Sequence, residues 1–157
     1  MYGGNIMANQ VEFQLTDELL PILQKERYAT IATIDHETGA PSVSAISWVY
    51  APDKSRIYFS ADNRSRIVEN IRKNPNVVLT TIAKGTTFSI SGLARVKVEK
   101  LDEVPLKLAL IEISIKAVRD VMFYGSKISQ DITYEKTYDA EAAAKLDRQV
   151  IEAMKKS

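Results

Sequence analysis

The chain has 157 residues, enough for one domain that buries about two-thirds of the surface its unfolded form exposes. It contains no cysteine, which excludes disulfides, thiolate metal sites and cysteine nucleophiles. Its 21 basic and 20 acidic residues nearly cancel, so no global field draws nucleic acid or an anionic membrane, and any basic chemistry must be local.

No apolar run approaches the roughly 20 residues of a membrane span, and the N-terminus lacks the basic and apolar regions of a signal peptide. The expectation is a cytoplasmic protein with no membrane or nucleic-acid partner. Residues 1–6, MYGGNI, precede a second methionine, Met7, and read as an N-terminal extension, which leaves 7–157 as one domain.

In chain order, Thr16 caps an expected helix with Asp17 and Glu18 in its first turn and Leu19, Leu20 and Leu23 on its buried stripe. Residues 28–35, YATIATID, read as a strand, 35–39 as a hairpin turn, and 41–50, PSVSAISWVY, as the returning strand. A turn at 52–55 leads to a third strand, with Ile57, Phe59 and Ala61 on one face. Asp62 or Asn63 then N-caps an expected helix with Arg64, Ser65 and Arg66 in its first turn and Ile67, Val68 and Ile71 as its stripe. Asn74-Pro75-Asn76 stops it, and 77–83 is extended again.

After a turn at Lys84-Gly85 comes the clearest strand, in which Phe88, Ile90, Gly92, Ala94, Val96 and Val98 alternate with polar neighbours. Residues 103–123 show two patterns. Leu106, Leu108 and Leu110 alternate like a strand, but Val104, Leu108, Ile111, Ile115, Val118 and Met122 fit helical spacing, and Glu112 to Lys116 is a favourable helical pair. A helix is expected, with a second stripe of Leu106, Leu110, Ile113, Ala117 and Val121 available to a subunit interface. Residues 124–138 are polar, with a short strand near 132–134, and Asp139 caps a last helix. Five strands joined mainly by hairpins, with one helix between them, give a mainly antiparallel barrel.

The segment 64–66 carries the most chemistry. A helix N-terminus holds partial positive charge on its unpaired amides, so two arginines there add repulsion unless an anion offsets it. A bound phosphate is one answer, and ordinary exposed arginines on a helix already explained by its apolar stripe are the other. Trp48, the only tryptophan, fits either ligand contact or packing. His36 has neighbouring carboxylates but falls far short of a zinc ligand set, so no metal site is expected. Tyr124, Tyr134 and Tyr138 fit either the lining of a substrate mouth near a dimer interface or the anchoring of a loop, and the second is expected. No catalytic acid or base stands out.

The order of YATIATID, a turn with Gly39-Ala40-Pro41, SVSAISWVY, IYFSADNRSR and NIRKNPNVVL resembles the FMN-binding split-barrel superfamily, the pyridoxamine 5'-phosphate oxidase-like proteins that include general stress protein-like members. The resemblance implies a six-stranded antiparallel split β-barrel with flanking helices, and a homodimer with FMN at the subunit interface. It puts the FMN phosphate on Ser44, Arg64, Ser65 and Arg66. The flavin-flanking strand segments fall on Ala45, Ile46, Ser47, Trp48 and Val49 and on Phe59 and Ser60, with a further contact at Thr87. Ile67 stands where many relatives carry lysine and Ser44 where they carry arginine, which makes the pocket less basic. The chain ends in RQVIEAMKKS rather than the tryptophan and arginine segment of the true oxidase, so pyridoxamine phosphate oxidation is not expected. The implied function is a flavin-dependent oxidoreductase with an unknown small-molecule substrate. The alternatives are a non-catalytic flavin-binding or stress-related module, or a binder of another phosphorylated cofactor such as a deazaflavin.

Overall fold

The computed structural model describes residues 11–157, and the expected extension at 1–6 lies outside the described residues. Its elements are β1 (Val11–Glu12), α1 (Leu19–Ile22), β2 (Ala29–Ile34), β3 (Pro41–Ile46), β4 (Val49–Asp53), β5 (Arg56–Asp62), α2 (Arg66–Lys73), β6 (Asn76–Ala83), β7 (Thr86–Val98), β8 (Leu108–Asp120) and α3 (Ala140–Lys155). The strands form one antiparallel sheet in the order β3-β2-β6-β7-β8-β5-β4, with β1 paired to β8. The two ends of this path, β3 and β4, are consecutive in the chain yet do not pair. The sheet curls into a barrel that stays split between them, as the sequence implied, with more strands than six.

Besides the two-residue β1, two expectations account for the different count. The strand expected at 41–50 breaks at Ser47-Trp48, and the break switches faces. On β3, Ile46 points into the barrel core, whereas on β4 Val49 and Ala51 do, and Trp48 and Tyr50 turn outward. Trp48 therefore does not share a face with Ser44 and Ile46.

The helix expected at 103–123 is instead β8. Its inward residues, Ala109, Ile111, Ile113, Ile115 and Val118, lie in the barrel core, and its outward Leu108 and Leu110 are buried under α3. A strand covered on both faces loses the simple alternation of buried and wet positions, and the surviving apolar residues mimic a helical stripe. Four isoleucines or valines among the inward positions favour the extended state. The expected Glu112–Lys116 pair is replaced by cross-strand partners: Glu112 accepts from Arg95 at 2.8 Å and from Arg56 at 3.2 Å. Of the apolar stripe assigned to a subunit interface, Leu110 and Ile113 are fully buried within the chain, whereas Leu106 and Val121 stay exposed.

The barrel interior is filled by Ile31, Phe59, Leu79, Ile90, Ile111 and Ile113, closed at one end by Leu15, Leu19 and Leu23 and at another by Val68 and Ile71 of α2. Each such side chain contributes about 1.5 to 3 kcal/mol of burial. Thr16 accepts from the Leu19 amide, but α1 starts only at Leu19 with Glu18 as its N-cap, so Asp17 and Glu18 precede the helix rather than occupy its first turn. A second cluster packs Val150, Ala153 and Met154 of α3, capped by Asp139, on Tyr58, Leu108 and Leu110 of the outer face. Residues 124–138 carry no regular structure, including the expected short strand.

Two register shifts bend the long β7–β8 ribbon. At the first, Ser91 pairs with Ala117 but Gly92 with Ile115, so Lys116 is an extra residue on β8. This crossing requires glycine for want of space: a Cβ on Gly92 would stand 2.3 Å from the Ser114 carbonyl oxygen and 2.8 Å from an Ile113 methyl. Backbone cannot swing aside as a side-chain tip can. Gly92→Ala should lower the unfolding free energy by about 2 to 3 kcal/mol in chemical denaturation, and a loss below about 0.5 kcal/mol would mean that the bulge accommodates a methyl.

Candidate functional site

The chain leaves β5 at Asp62, whose side chain accepts from the Arg64 amide at 2.8 Å while its carbonyl accepts from Ser65 at 2.9 Å. This Asx turn delays the helix. Ser65, not Asp62 or Asn63, is the N-cap, and Arg66 is the first helical residue, so Arg64 and Ser65 lie just before the first turn. Asn63 is used elsewhere, its side chain donating to the Glu99 carbonyl.

The two arginines have different fates. Arg64 projects outward, with a side chain 79 % exposed and Asp62 no nearer than 4.0 Å. Arg66 folds across to the β2–β3 turn, where Nε donates to Asp35 at 2.6 Å and a terminal N–H to Glu37 at 2.6 Å. The repulsion anticipated at the helix N-terminus thus has an answer inside the chain for one of the two cations. Asp35 also accepts from the amides of Glu37 and Thr38, at 3.1 and 2.9 Å. The Arg66 guanidinium and then these turn amides hold the Asp35 carboxyl well below the usual carboxylate range. The same carboxylates raise the already high pKa of Arg66.

Ser65 is the unusual group. An N-cap serine normally accepts from an amide of the first turn, but this side chain makes no capping bond, and its hydroxyl oxygen is buried with no hydrogen-bond partner. Ser60 Oγ shares this state. Unpartnered buried hydroxyls are uncommon because each forgoes a hydrogen bond without regaining one from water. An acceptor-rich anion at the N-terminus of α2 would satisfy Ser65, and Arg64 and the unused N–H donors of Arg66 lie beside it.

The expected ring-flanking residues divide by face. Ile46, Val49 and Phe59 are barrel core, so any contact they make with a ligand is through backbone. Ala45 is exposed on β3, and Ser44, half-buried, pairs with Ile31 three rungs from the turn, roughly 10 Å along the strand. Ser47 and Trp48 form the break, their carbonyls accepting from the amides of Arg27 and Ser60. Trp48 donates its indole N–H to Asp147 of α3 at 2.8 Å, and Asp147 also binds Lys136, which reaches Glu26 as well. Burial opposes charge on both partners, but their mutual bond holds Asp147 below and Lys136 above its usual range. Burial and then Glu26 push the Tyr134 phenol up to about 12. Trp48 is thus fixed by α3 and the strap that precedes it.

Thr87 is not brought to the basic turn. It sits near the start of β7, paired with Ile82, whereas Asn63 contacts Glu99 beyond the far end of that strand. His36 lies in the turn as expected, but its ring meets Asn70 of α2 at 2.8 Å, and among the described residues no group of potential ligands could hold a metal ion. No described helix is long and apolar enough to cross a membrane. Sequence reading missed Asp35 and Glu37 as partners of Arg66, and Asp147 as the partner of Trp48. The local sequence carries no signal for these long-range pairs beyond an acidic turn.

Because its folded pKa is depressed, Asp35 adds stability that is fully present above its unfolded value near 4 and is lost as the pH falls through the lower folded value. Asp35→Asn should therefore be less stable than the parent at neutral pH, and the gap between their melting temperatures should close as the pH is taken well below about 4. A gap that stays constant over that range would show that the carboxylate charge is not what matters.

The pyridoxamine 5'-phosphate oxidase family model matches residues 15–153. No curated protein matches the chain in sequence. Among solved structures, HupZ of Group A Streptococcus is similar at 15 % identity and a TM-score of 0.58, over 72 % of this chain and 98 % of that one. A Lactobacillus delbrueckii protein provisionally assigned as a pyridoxamine 5'-phosphate oxidase is similar at 20 % identity and a TM-score of 0.57, over 67 % and 93 %. A Listeria innocua protein with the same provisional assignment gives 17 % and 0.53, over 67 % and 96 %. At these identities the structures speak for the fold alone, and the family model, spanning nearly the whole chain, speaks for descent: the chain belongs to the pyridoxamine 5'-phosphate oxidase family.

Proposed function

We propose that the chain binds FMN through the N-terminus of α2 and serves as a flavin-dependent oxidoreductase other than a pyridoxamine phosphate oxidase. The observation that carries this reading is the buried, unpartnered hydroxyl of Ser65 at the N-cap, flanked by Arg64 and Arg66. Membership of a family that binds flavin-type cofactors supports it. In this reading Ser65, Arg64 and Arg66 hold the phosphate, and Ser44, about 10 Å along β3 from the turn, would meet the ligand farther from the phosphate. The backbone edges around Ala45, Ile46, Ser47, Trp48 and Val49, together with Phe59 and Ser60, flank the ring, which supplies the electron transfer when bound. The chain's own work is to bind, orient and exclude water, and no side chain is given an acid or base role.

The cofactor would be shared in a homodimer. Thr87 lies too far from the α2 turn to serve the same pocket in one chain, so its contact would come from a second copy. The outer sheet face offers a surface for that copy: a depression of about 360 Å³ lined by Ile34, Val78, Leu93 and Lys116, with Val43 beside it on β3 65 % exposed. A cytoplasmic location fits this role.

Titration of the purified protein should show FMN bound more tightly than riboflavin. Arg64→Ala and Ser65→Ala should each weaken FMN about threefold to tenfold and leave riboflavin unchanged. Equal losses for both ligands would mean that the phosphate lies elsewhere, and failure to bind added FMN would end the reading. Reduction of bound FMN by a nicotinamide cofactor, with turnover on an added acceptor, separates an enzyme from a binding module. A monomeric mass in solution would remove the shared pocket.

A further inference from the structure

We propose that Glu37 is an internal competitor for Arg66, and that it makes FMN an exchangeable ligand of this site rather than a permanently held one; the proposal rests on the flavin reading above. The two carboxylates that meet Arg66 are built differently. Asp35 is nearly buried and fixed by two turn amides, so it orients the guanidinium and stays in place. Glu37 is an exposed side chain, 64 % accessible, whose carboxylate besides Arg66 has only a 4.0 Å approach to the neighbouring His36 ring among the described residues, so little else holds it in place. Its role at the site is to occupy a terminal N–H of Arg66, one of the donors a phosphate would use.

Charge around the turn adds to this. Asp35, Glu37, Asp62 and Glu69 stand against Arg64, Arg66 and Lys73, whose ammonium donates to the His36 carbonyl at 2.8 Å, and Ile67 adds no further cation. A dianionic phosphate entering such a turn finds the Arg66 guanidinium already paired with carboxylates, so its hold depends on displacing from Arg66 the one that is exposed and free to swing into water. Glu37 thus lowers affinity for the phosphate end selectively, and its return to Arg66 assists release. Riboflavin, which lacks the phosphate, is indifferent to it.

The test is equilibrium titration and stopped-flow release of FMN and riboflavin from the full chain and from Glu37→Gln, at low and at high salt. Glu37→Gln should tighten FMN about threefold to tenfold at low salt, slow its release by a similar factor and leave riboflavin within about twofold, with the gain shrinking at high salt. Asp35→Asn should move FMN the other way, because it frees Arg66 from the carboxylate that orients it. If the parent prefers FMN to riboflavin but Glu37→Gln leaves FMN unchanged or weaker, the competitor role is wrong while the flavin reading stands. Equal tightening of both flavins overturns it too, since the effect would not act through phosphate. A parent that does not distinguish FMN from riboflavin overturns the flavin reading and the competitor role together.

Discussion

The contact between Arg66 and the β2–β3 turn is where the two ends of the sheet meet. Helix α2 begins directly after β5, which neighbours β4 at one end of the strand path, and Asp35 and Glu37 belong to the hairpin at the other end. The backbone ladder stops at β3 and at β4, so the barrel is held there by side chains and by the core packing of α2. Asn70 continues the same seam, bonding to Thr33 and to the His36 amide. The phosphate site proposed here is built on that seam, which is why its arginine is already engaged before any ligand arrives.

The second constraint is the change of face at Ser47-Trp48. It lets one continuous segment serve two sheet ends, and it sends Trp48 and Tyr50 outward to meet α3. From that follows the second apolar cluster, and with it the burial of both faces of β8. Asp147 and Lys136 then tie the helix and its preceding strap to the break itself. The strand edges nearest the proposed ring are therefore lined by core residues on one side and covered by α3 on the other.

Most of the barrel was legible in the sequence because its strands have one wet face. The alternation in 88–98, the turns at Gly39 and Gly85 and the stop at Asn74-Pro75 each act locally, and each appeared in the structure. β8 was not legible, because the cover supplied by α3 removes the alternation that marks a strand, and that cover is a tertiary fact. The candidate site divides in the same way. Arg64, Ser65 and Arg66 stood out by their place at a helix start, but the N-cap shifted to Ser65 because Asp62 spends its side chain on an Asx turn. The pairing of Arg66 joins residues 31 and 29 positions apart, and a turn carrying Asp35 and Glu37 reads like any solvated turn until the fold brings it to the helix.

The central claim is that an anion belongs at the N-terminus of α2, and amide chemical shifts report on it directly. In nitrogen-15-labelled protein, FMN should shift the amides of Ser65, Arg66 and Ile67 strongly, inorganic phosphate should shift the same set at higher concentration, and riboflavin should leave them in place. Shifts of these amides that are the same for FMN and riboflavin, or FMN shifts confined to other parts of the chain, would contradict the account.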